Sequence, residues 1–513
     1  MDNARSLTTQ ILQDENAKLY VSNFGIDGET VYVKDSAATK NIENLQSHAD
    51  LVDADLEAVS GAVAGVRKDL STLEAKIAKG DIAYVKEYGA VGDGTTDDSA
   101  AIQAAMDSGH SVIMFNPGEY KVKTTIRIPS YKHVMGYGAK IVYAGDDSGA
   151  CFMNAADGTT GGYTANTQIR IEGITFDCAN AKATIIALGH TENCAIVQCI
   201  FEHLRAGHFV ELNACKNAMV EQCYFYDYSD PTNFEATEML EIDGAYAQNA
   251  FPFFGPYDAT PCLDCKITNC VFENPRLTGT LEDTENVRAI GNSTDSSNKH
   301  TGIEISHNFF NNIGMCMRFT NIQSSTISKN YQNNGYAFYY NTINSENNDL
   351  TISENKLFGT KIDYSGHNPY YYGCSGIAIG NSSRTQVINN RIGGFKDSGI
   401  HGGTSSVVIS GNSVQNCGFR GIDFSNNISG LCSNNECNGS GQGSTANIPY
   451  DLVFLNNATG AYNVITGNRC GRIHFLGSTN WDVFTNNVAT TTLETAGAAS
   501  VIHSNVQDGT WTA

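Results

Sequence analysis

Residues 305–310 read Ile-Ser-His-Asn-Phe-Phe, and this pattern decides the fold because it recurs along most of the chain. Each copy begins with a branched aliphatic residue and has asparagine or cysteine fourth. The copies are Ile196–Phe201, Val220–Phe225, Ile267–Phe272, Ile305–Phe310, Ile352–Leu357, Val387–Ile392, Ile409–Val414, Ile465–Cys470 and Ile502–Gln507, and Ile327–Asn330 is a shortened one. Ile305, Ile327 and Ile352 follow one another at intervals of 22 and 25 residues.

A repeat of this length is typical of one turn of a solenoid, in which each turn buries its apolar edge against its neighbours. Asparagine tolerates left-handed backbone at a turn, and stacked side-chain amides can bond from one turn to the next. We therefore predict an all-β solenoid whose asparagines form a structural ladder rather than a functional site.

Residues 92–120 form the entry to the repeats. Gly92-Asp-Gly94 predicts a tight turn, and a short helix is expected over residues 96–108. Asp93, Asp97 and Asp98 lie near the start of that helix, where the helix dipole stabilises carboxylates. We therefore assign these three acids a structural role.

Together with Ala101-Ile-Gln103 and Pro117-Gly-Glu-Tyr120, this entry segment resembles that of the pectate-lyase-like superfamily. The resemblance implies a right-handed parallel β-helix over residues 80–513, with the short helix covering the open end of the coil.

Residues 42–77 carry apolar residues in alternating steps of three and four. They are Ile42, Leu45, Ala49, Val52, Leu56, Val59, Val63, Val66, Leu70, Leu73 and Ile77. A strict seven-residue register indicates a supercoiled bundle, and branched residues at both core positions favour three strands. We predict a trimeric coiled-coil neck over residues 41–79; the alternative is one surface helix packed on its own domain.

Residues 1–40 precede the neck. Lys18–Ser22 and Glu29–Lys34 alternate apolar and polar residues around Gly25 and Gly28, which predicts a small hairpin. Such a unit is too small to have an independent core. We predict a small anchor module that attaches the trimer to something larger.

Composition excludes several function classes. The 513 residues carry a net charge of −22, which disfavours a nucleic-acid groove because phosphates would be repelled. No run approaches the ~18 apolar residues of a membrane span, and the opening residues lack the apolar segment of a signal peptide. The 15 cysteines are expected to be small buried hydrophobes, as in a protein made in the cytosol. Cys262 and Cys265 lack a second ligand pair at suitable spacing, so we predict no metal site and no cofactor, although acidic β-helix clefts can hold calcium and the sequence leaves that alternative open.

A second series of strands follows the repeats, usually after a glycine. If the larger apolar residues of these strands face inward, their neighbours face outward. The outward set is then Glu211, Glu241, Asp243, Arg288, Arg318, Tyr339, His401 and Asp423. Stacked strands lie ~4.8 Å apart, so these side chains would form one polar stripe. A solvated face would also be polar, but this mixture of residue types favours a groove for a long chain with hydroxyls and carboxylates.

A long insertion over residues 226–262 concentrates acidic and aromatic residues. It contains Glu235, Glu238, Glu241, Asp243, Phe251, Phe253, Phe254, Tyr257 and Asp258. A loop this long between regular repeats is more often functional than not. Rings beside carboxylates are suited to holding a sugar face and protonating a glycosidic oxygen.

Glu238–Asp243 and Phe254-Gly-Pro-Tyr-Asp-Ala-Thr-Pro261 resemble a segment of β-helical polysaccharide-degrading proteins, although Glu241 stands where glutamine is expected. The resemblance implies an acid/base site at Glu238, Glu241, Asp243 and Asp258. Outward residues two apart on one strand, such as Glu241 and Asp243, lie ~6.5–7 Å apart, which favours inverting over retaining hydrolysis.

The combination of coil, anchor, cysteine use and acidic β-helix resembles a bacteriophage tailspike. The resemblance implies a homotrimer on the virion tail, made in the bacterial cytosol and acting outside the host cell, that binds a baseplate or tail protein through its N-terminus. It implies hydrolysis of a bacterial surface polysaccharide, either capsule or O-antigen. The expected glycan-binding residues are Glu211, Tyr257, Arg288, Arg318, Tyr339, His401 and Asp423.

Two alternatives remain. A polysaccharide lyase would use Arg288, Arg318 or His401 beside its base and would need uronic acid in its substrate. A non-catalytic adhesin would bind the glycan without shortening it.

Overall fold

A computed structural model gives the architecture of the chain. It describes residues 24–27, 30–33, 65–68, 70, 81–229, 238–246, 253, 255–275, 287–292, 298–341, 347–360, 374–403, 405–424, 427–441, 450–456, 462–477, 482–496, 501–507 and 510–512. The chain divides into two units, residues 1–80 and 81–513.

The first unit contains an antiparallel hairpin of Phe24–Asp27 and Thr30–Val33, and residues 65–68 and 70 are helical. The second hairpin strand lies where the sequence predicts it, but Gly25 belongs to the first strand rather than to the turn. Lys18–Ser22 and most of the predicted neck lie outside the described residues. The anchor, the coiled coil and the trimer therefore stay predictions.

The second unit is a parallel β-helix, which confirms the predicted all-β solenoid. Each coil passes in turn through three stacks of parallel strands, here named sheets A, B and C, and one level of a stack is called a rung. Sheets B and C join near the C-terminal end, where Arg469–Gly477 and Val488–Ala496 each run from one stack into the other.

Sheet A consists of the strands that carry the start of each repeat. They are Ile82–Tyr84, Val112–Met114, Lys132–Met135, Ile169–Glu172, Ala195–Val197, Met219–Glu221, Lys266–Thr268, Glu304–Ser306, Ile322–Ser328, Asn348–Ser353, Gln386–Ile388, Val408–Ser410, Leu431–Ser433, Val464–Thr466, Val483–Thr485 and Val501–His503, with the short strand His300–Thr301 beside Ile322–Ser328.

Sheet B consists of the strands that follow the asparagine or cysteine. They are Asp93–Asp97, Gly118–Val122, Ala139–Tyr143, Thr175–Asp177, Ile200–Leu204, Tyr224–Tyr228, Val271–Glu273, Phe309–Asn311, Tyr331–Asn333, Lys356–Phe358, Arg391–Gly393, Ser413–Gln415, Glu436–Asn438, Arg469–Gly477, Val488–Ala496 and Asn505–Gln507, and Thr510–Thr512 pairs antiparallel with the last of these.

Sheet C contains the second series of strands. They are Ile126–Ile128, Ala150–Asn154, Thr184–Glu192, Val210–Lys216, Glu238–Asp243, Arg288–Gly291, Met315–Phe319, Ala337–Asn341, Ile377–Ala378, Ile400–His401, Ile422–Asp423 and Leu452–Asn456, with Asn166–Thr167 beside the third.

One column of the core is a stack of phenylalanine rings contributed by sheet B. The rings of Phe176, Phe201, Phe225, Phe272 and Phe310 follow one another at centroid distances of 5.2, 5.0, 4.6 and 5.1 Å and are within 12° of parallel. Four of these rings are the sixth residue of a repeat. The rung spacing therefore sets the distance between neighbouring rings of the stack.

The predicted asparagine ladder is present. Each side-chain Nδ2 donates to the Oδ1 of the next asparagine at 2.9–3.1 Å, through Asn308, Asn330, Asn355, Asn390, Asn412, Asn435, Asn468, Asn487 and Asn505. One detail of the prediction is wrong, because the left-handed residue is the one before the asparagine, as at His307 (φ 58°) and Lys329 (φ 57°). The ladder amide itself points inward and satisfies the backbone N–H groups of the turn.

The entry segment holds the predicted short helix, which spans Ser99–Met106 and buries Ile102 and Met106 in the core. The carboxylate of Asp98 accepts hydrogen bonds from the backbone N–H groups of Val91 (2.6 Å) and Gly92 (3.1 Å). Asp93 and Asp97 likewise accept bonds from residues just after them. The structural role of these acids is confirmed, but the helix is shorter than the predicted 96–108, and Asp97 and Asp98 precede it rather than lie in its first turn.

All fifteen cysteines are free and buried, as predicted. The Sγ of Cys262 lies 3.3 Å from the backbone oxygen of Leu212 and 3.2 Å from that of Asp243, so this residue packs against two strands of sheet C. Within the described residues, no helix is long and apolar enough to cross a membrane.

Candidate functional site

The candidate site lies on sheet C, around Glu238–Asp243. This strand pairs with Val210–Lys216 on one side and Arg288–Gly291 on the other, so that Glu211 lies directly opposite Glu241. The same column continues through Gly291 to Arg318. Two glutamates that are distant in sequence thus occupy adjacent rungs, ~4.8 Å apart along the stack.

His208 closes the cluster. Its Nε2 lies 3.0 Å from the Glu241 carboxylate, and its Nδ1 lies 2.6 Å from the backbone oxygen of Glu238. The backbone oxygen can only accept, so Nδ1 donates; with Glu241 ionised, Nε2 donates as well and His208 is an imidazolium. Ligand atoms of His208, Glu211 and Glu241 all lie within 4.8 Å of one another.

Electrostatics agree with that assignment. Burial opposes protonation of His208, but the charges of Glu241, Glu211 and Glu238 outweigh it and raise the pKa of His208 to about 10. His300 shows what burial does where the surrounding acids contribute less: the pKa of His300 is lowered to about 4, and its Nδ1 accepts a hydrogen bond from the N–H of Cys262 at 2.9 Å. The acids therefore decide the charge of His208.

Glu211 is the carboxyl group of the cluster whose pKa is best suited to acid–base chemistry. Its side chain accepts hydrogen bonds from Thr184 Oγ1 (3.0 Å) and Asn213 Nδ2 (2.5 Å), and the residue is 2% exposed. Burial and the neighbouring charge of Glu241 raise the pKa of Glu211 to about 7. A carboxyl group with such a pKa can hold or release a proton near neutral pH.

Glu238 is fully buried and pairs with Arg288, whose Nη1 lies 3.2 Å from its Oε1. Burial raises the pKa of Glu238, although the charge of Arg288 opposes the rise. Arg318 lies within electrostatic range of the same carboxyl. The structure thus brings together five predicted site residues, Glu211, Glu238, Glu241, Arg288 and Arg318.

The other two predicted catalytic acids have different surroundings. Asp243 is fully buried, and its Oδ1 accepts the backbone N–H of Gly244 at 2.8 Å. Asp258 is exposed and accepts hydrogen bonds from the backbone N–H groups of Gly162 (2.8 Å) and Thr260 (3.1 Å). These bonds give Asp258 a sufficient structural role, since they fix one loop against another.

A cavity of about 570 Å³ adjoins this loop. Its lining residues are Gly162, Tyr163, Asp258, Ala259, Thr260, Pro261, Asn298, Lys299 and Gln323. Among the described residues, the cavity takes in Asp258 but no residue of Glu238–Asp243. Tyr257, another predicted glycan contact, is 41% exposed in the same loop. The insertion therefore contributes residues to two separate regions, the acidic cluster on sheet C and this cavity, whereas the sequence predicted a single site.

A second acid–histidine centre lies further along sheet C. His401 Nδ1 is 3.2 Å from the Asp423 carboxylate, to which Arg420 is also hydrogen-bonded. Burial opposes protonation of His401, but Asp423 and Asp397 outweigh it and raise the pKa of His401. His401 lies five rungs from Glu241, or ~24 Å along the stack.

The predicted continuous polar stripe is therefore interrupted. Gly291, Tyr340 and Ala378 lie in the column between Glu241 and His401, and Tyr340 and Ala378 are 7% and 2% exposed. The outward placement of Tyr339 is wrong, because its ring is buried in the main core and its hydroxyl accepts a hydrogen bond from Asn347. Its neighbour Tyr340 takes the outward place.

Sequence reasoning missed His208, Asp397 and Arg420. His208 precedes its strand, so the two-residue period that assigned Glu211 could not be extended to it. Arg420 is likewise just before a strand, and Asp397 lies in the turn that leads to His401. The available signal was their position near the glycines that introduce the sheet C strands: His208 and Arg420 adjoin Gly207 and Gly421, and Asp397 lies two residues before Gly399.

Among the residues that the structure describes, two groups have ligand atoms close enough together to hold a metal ion: Asp177, Glu202 and His203, and His208, Glu211 and Glu241. Lys140 lies 3.1 Å from Glu202 and 3.6 Å from Asp177 in the first group. The imidazolium of His208 occupies the corresponding place in the second. In both groups a cation of the chain already balances part of the acidic charge.

Residues 82–223 match the family model described as rhamnogalacturonase A/epimerase, pectate lyase-like. The match covers the entry segment and the first coils. The resemblance to the pectate-lyase-like superfamily is therefore confirmed for that part of the chain.

Two curated relatives have contrasting names. Plasmin and fibronectin-binding protein A of Streptococcus pneumoniae is 26% identical over 281 residues, which are 48% of this chain and 38% of that protein. The pre-neck appendage protein of Bacillus phage B103 is 48% identical over 54 residues, 10% of this chain and 6% of that protein. The chain thus spans less than two fifths of the length of either relative.

Among solved structures, PfbA, a surface adhesin of Streptococcus pneumoniae, matches with a TM-score of 0.60 at 21% identity, covering 74% of this chain and 93% of that chain. Tailspike protein 3 of bacteriophage CBA120 matches with a TM-score of 0.46 at 14% identity, covering 91% of this chain and 68% of that chain. The likeness to PfbA is one of fold.

Proposed function

We propose that this chain is a glycoside hydrolase of a phage tail that cleaves a bacterial surface polysaccharide, with Glu211 and Glu241 as its catalytic carboxyl groups. The observation that carries the proposal is their pairing on adjacent rungs, one of them with a pKa near neutrality. Glycosidases need such a pair beside the bond that breaks. Glu211, expected only to bind glycan, takes the acid role in place of Asp243 and Asp258.

In this mechanism Glu211, protonated up to about pH 7, donates its proton to the glycosidic oxygen. Glu241 attacks the anomeric carbon as the glycosidic bond breaks, giving a covalent glycosyl intermediate. Water then gives its proton to Glu211 and displaces Glu241, which restores both carboxyl groups. His208 positions Glu241 through their 3.0 Å ion pair.

The separation of the two carboxyl groups favours this two-step, retaining mechanism. A Glu211 oxygen and a Glu241 oxygen lie within 4.8 Å of each other. Retaining enzymes place their carboxyls ~5–5.5 Å apart and inverting enzymes ~6.5–9.5 Å apart. We therefore propose retention, whereas the spacing of Glu241 and Asp243 had favoured inversion.

The proposal extends to the place where the protein acts. The relative from Bacillus phage B103, 48% identical over 54 residues, is named a pre-neck appendage protein. We propose that this chain is a homotrimer on the virion tail, attached through residues 1–40 to a baseplate or tail protein, and that it acts on the outside of the host cell.

The test is digestion of a panel of purified capsules and O-antigens, with products identified by mass spectrometry and their anomeric form by NMR. Glu211→Gln and Glu241→Gln should each lower turnover by roughly a hundredfold or more. Glu436→Gln, which removes an exposed carboxylate from sheet B, should leave turnover unchanged. Full turnover in both site variants would refute the assignment, and an unsaturated, ultraviolet-absorbing product would identify a lyase instead.

A glycan-binding adhesin is the second candidate. It is favoured by the low exposure of the pair, 2% for Glu211 and 4% for Glu241, and by the relative named for binding plasmin and fibronectin. In that case the wild-type protein would bind a glycan of the panel without shortening it.

A further inference from the structure

The outer face of sheet B carries a column of aromatic and basic side chains. In register, Phe309 lies opposite Tyr331, Tyr331 opposite Lys356, and Lys356 opposite Arg391. Tyr331 is 38% exposed, and Lys356 and Arg391 are also exposed. With Phe358, these residues form what we call the sheet B strip.

The rings of the strip form a nearly continuous wall. The centroid of Tyr331 lies 5.3 Å from that of Phe309 and 5.8 Å from that of Phe358. The guanidinium of Arg391 lies 5.7 Å from the Phe358 centroid, within range of a cation–π contact. Apolar ring surface and fixed positive charge thus lie side by side.

The two cations are unusual in a chain with a net charge of −22. Lys356 and Arg391 occupy adjacent rungs, and like charges directly opposite each other destabilise a sheet. Neither forms an ion pair with any residue that the structure describes. Glu436, in the same column, lies two rungs beyond Arg391, or ~10 Å along the stack.

We propose that the sheet B strip binds an acidic polysaccharide, with sugar faces on Phe309, Tyr331 and Phe358 and an anionic substituent between Lys356 and Arg391. Rings and cations arranged along the stack suit a chain that lies parallel to the β-helix axis. A bound carboxylate or phosphate would relieve the repulsion between the two cations. The proposal rests on the glycan-directed function and narrows its substrate class to anionic polymers.

A second copy of the chain is the competing occupant. A protein interface over the strip would have to bury Lys356 and Arg391, which is costly unless each finds a partner. An anionic glycan supplies that partner and leaves the rest of each side chain in water. The observations therefore favour the glycan.

The experiment measures binding of the full-length protein to immobilised polygalacturonate, poly(glycerol phosphate) and neutral dextran, at low and at physiological salt. All proteins carry Glu241→Gln, so that cleavage does not affect the measurement. We expect binding to at least one anionic polymer, weakened by salt, and no binding to dextran. The two anionic polymers distinguish a uronate from a phosphate substituent.

The double variant Lys356→Gln/Arg391→Gln should weaken that binding by roughly tenfold or more and remove most of its salt dependence. Tyr331→Leu should weaken it while leaving the salt dependence. The matched control, Lys266→Gln/Arg384→Gln, removes two cations that are 55% and 59% exposed but are ion-paired with Glu304 and Asp349, and it should bind like the parent.

Equal losses in the test and control variants would overturn the proposal, as would equal binding of dextran or a failure to bind either anionic polymer. A reduced molecular mass of the Lys356→Gln/Arg391→Gln protein in light scattering would assign the strip to subunit contact instead. The proposed hydrolase is judged separately, because its failure appears as absent cleavage in the glycan panel.

Discussion

Replacing Glu211 by glutamine should stabilise the folded protein at pH 8. Burial and the charge of Glu241 raise the pKa of Glu211 from 4.5 to about 7. A carboxyl group with a higher pKa in the folded than in the unfolded chain adds most stability below its unfolded pKa. That contribution is lost as the pH rises through the folded pKa. The interval between the two values corresponds to about 3 kcal/mol.

Glutamine keeps most of the local bonding. Its side-chain oxygen can accept the hydrogen bond from Asn213, and its amide nitrogen can donate to the hydroxyl of Thr184, which can accept as well as donate. The substitution therefore removes the charge without leaving a buried partner unsatisfied. We expect a gain in the free energy of unfolding of about 3 kcal/mol at pH 8 and of less than about 1 kcal/mol at pH 5.

Urea unfolding followed by circular dichroism at both pH values measures this difference. Glu436→Gln serves as the control, because it removes an exposed carboxylate outside the cluster. A gain of the same size at pH 5 and pH 8, or a loss of stability at pH 8, would refute the reasoning. The expected result, more stability together with lost turnover, is typical of a residue kept for function.

Three further outcomes are expected. Asn355→Ala removes four buried hydrogen bonds of the ladder and should lower the free energy of unfolding by about 3–5 kcal/mol. The control in the same denaturation assay is Asn333→Ala, which removes one exposed hydrogen bond and should lower the free energy of unfolding by less than about 1 kcal/mol. His208→Gln removes a charge that lowers the pKa of Glu211, so in a pH–rate profile the decline in turnover at high pH should move to higher pH. Asp258→Asn should leave turnover within about threefold of wild type if its role is to fix the loop, and a larger loss would return it to the catalytic site.

The sequence predicts the fold well because the residue types within each repeat indicate which positions are buried and which are exposed. The fourth position of every copy is asparagine or cysteine, two residues that fit a crowded inward turn. That regularity is sufficient to predict the ladder from the sequence. The column that joins Glu211, Glu241, Arg318, His401 and Asp423 also follows from the two-residue period of sheet C. The local sequence pattern is sufficient to assign side chains to the inward or outward face wherever one face of a strand is buried and the other is not.

Prediction fails where both faces are covered. In the strand Ala337–Asn341 all five residues are buried, so apolar character does not distinguish the inward Tyr339 from the outward Tyr340. His208 could not be assigned because it lies in the bend before its strand, outside any period. The role of Glu211 depends on a neighbour that is thirty positions later in sequence, and only the register of sheet C reveals that neighbour.

The asparagine ladder has a consequence for how such a protein can vary. Within the ladder, each interior amide donates to the amide of the next rung and accepts from the one before, so the column has no built-in number of rungs. A gene that gained or lost one whole coil would keep every bond of the remaining ladder. The reach of the molecule could therefore change in steps of ~4.8 Å while the chemistry at Glu211 and Glu241 stayed as it is.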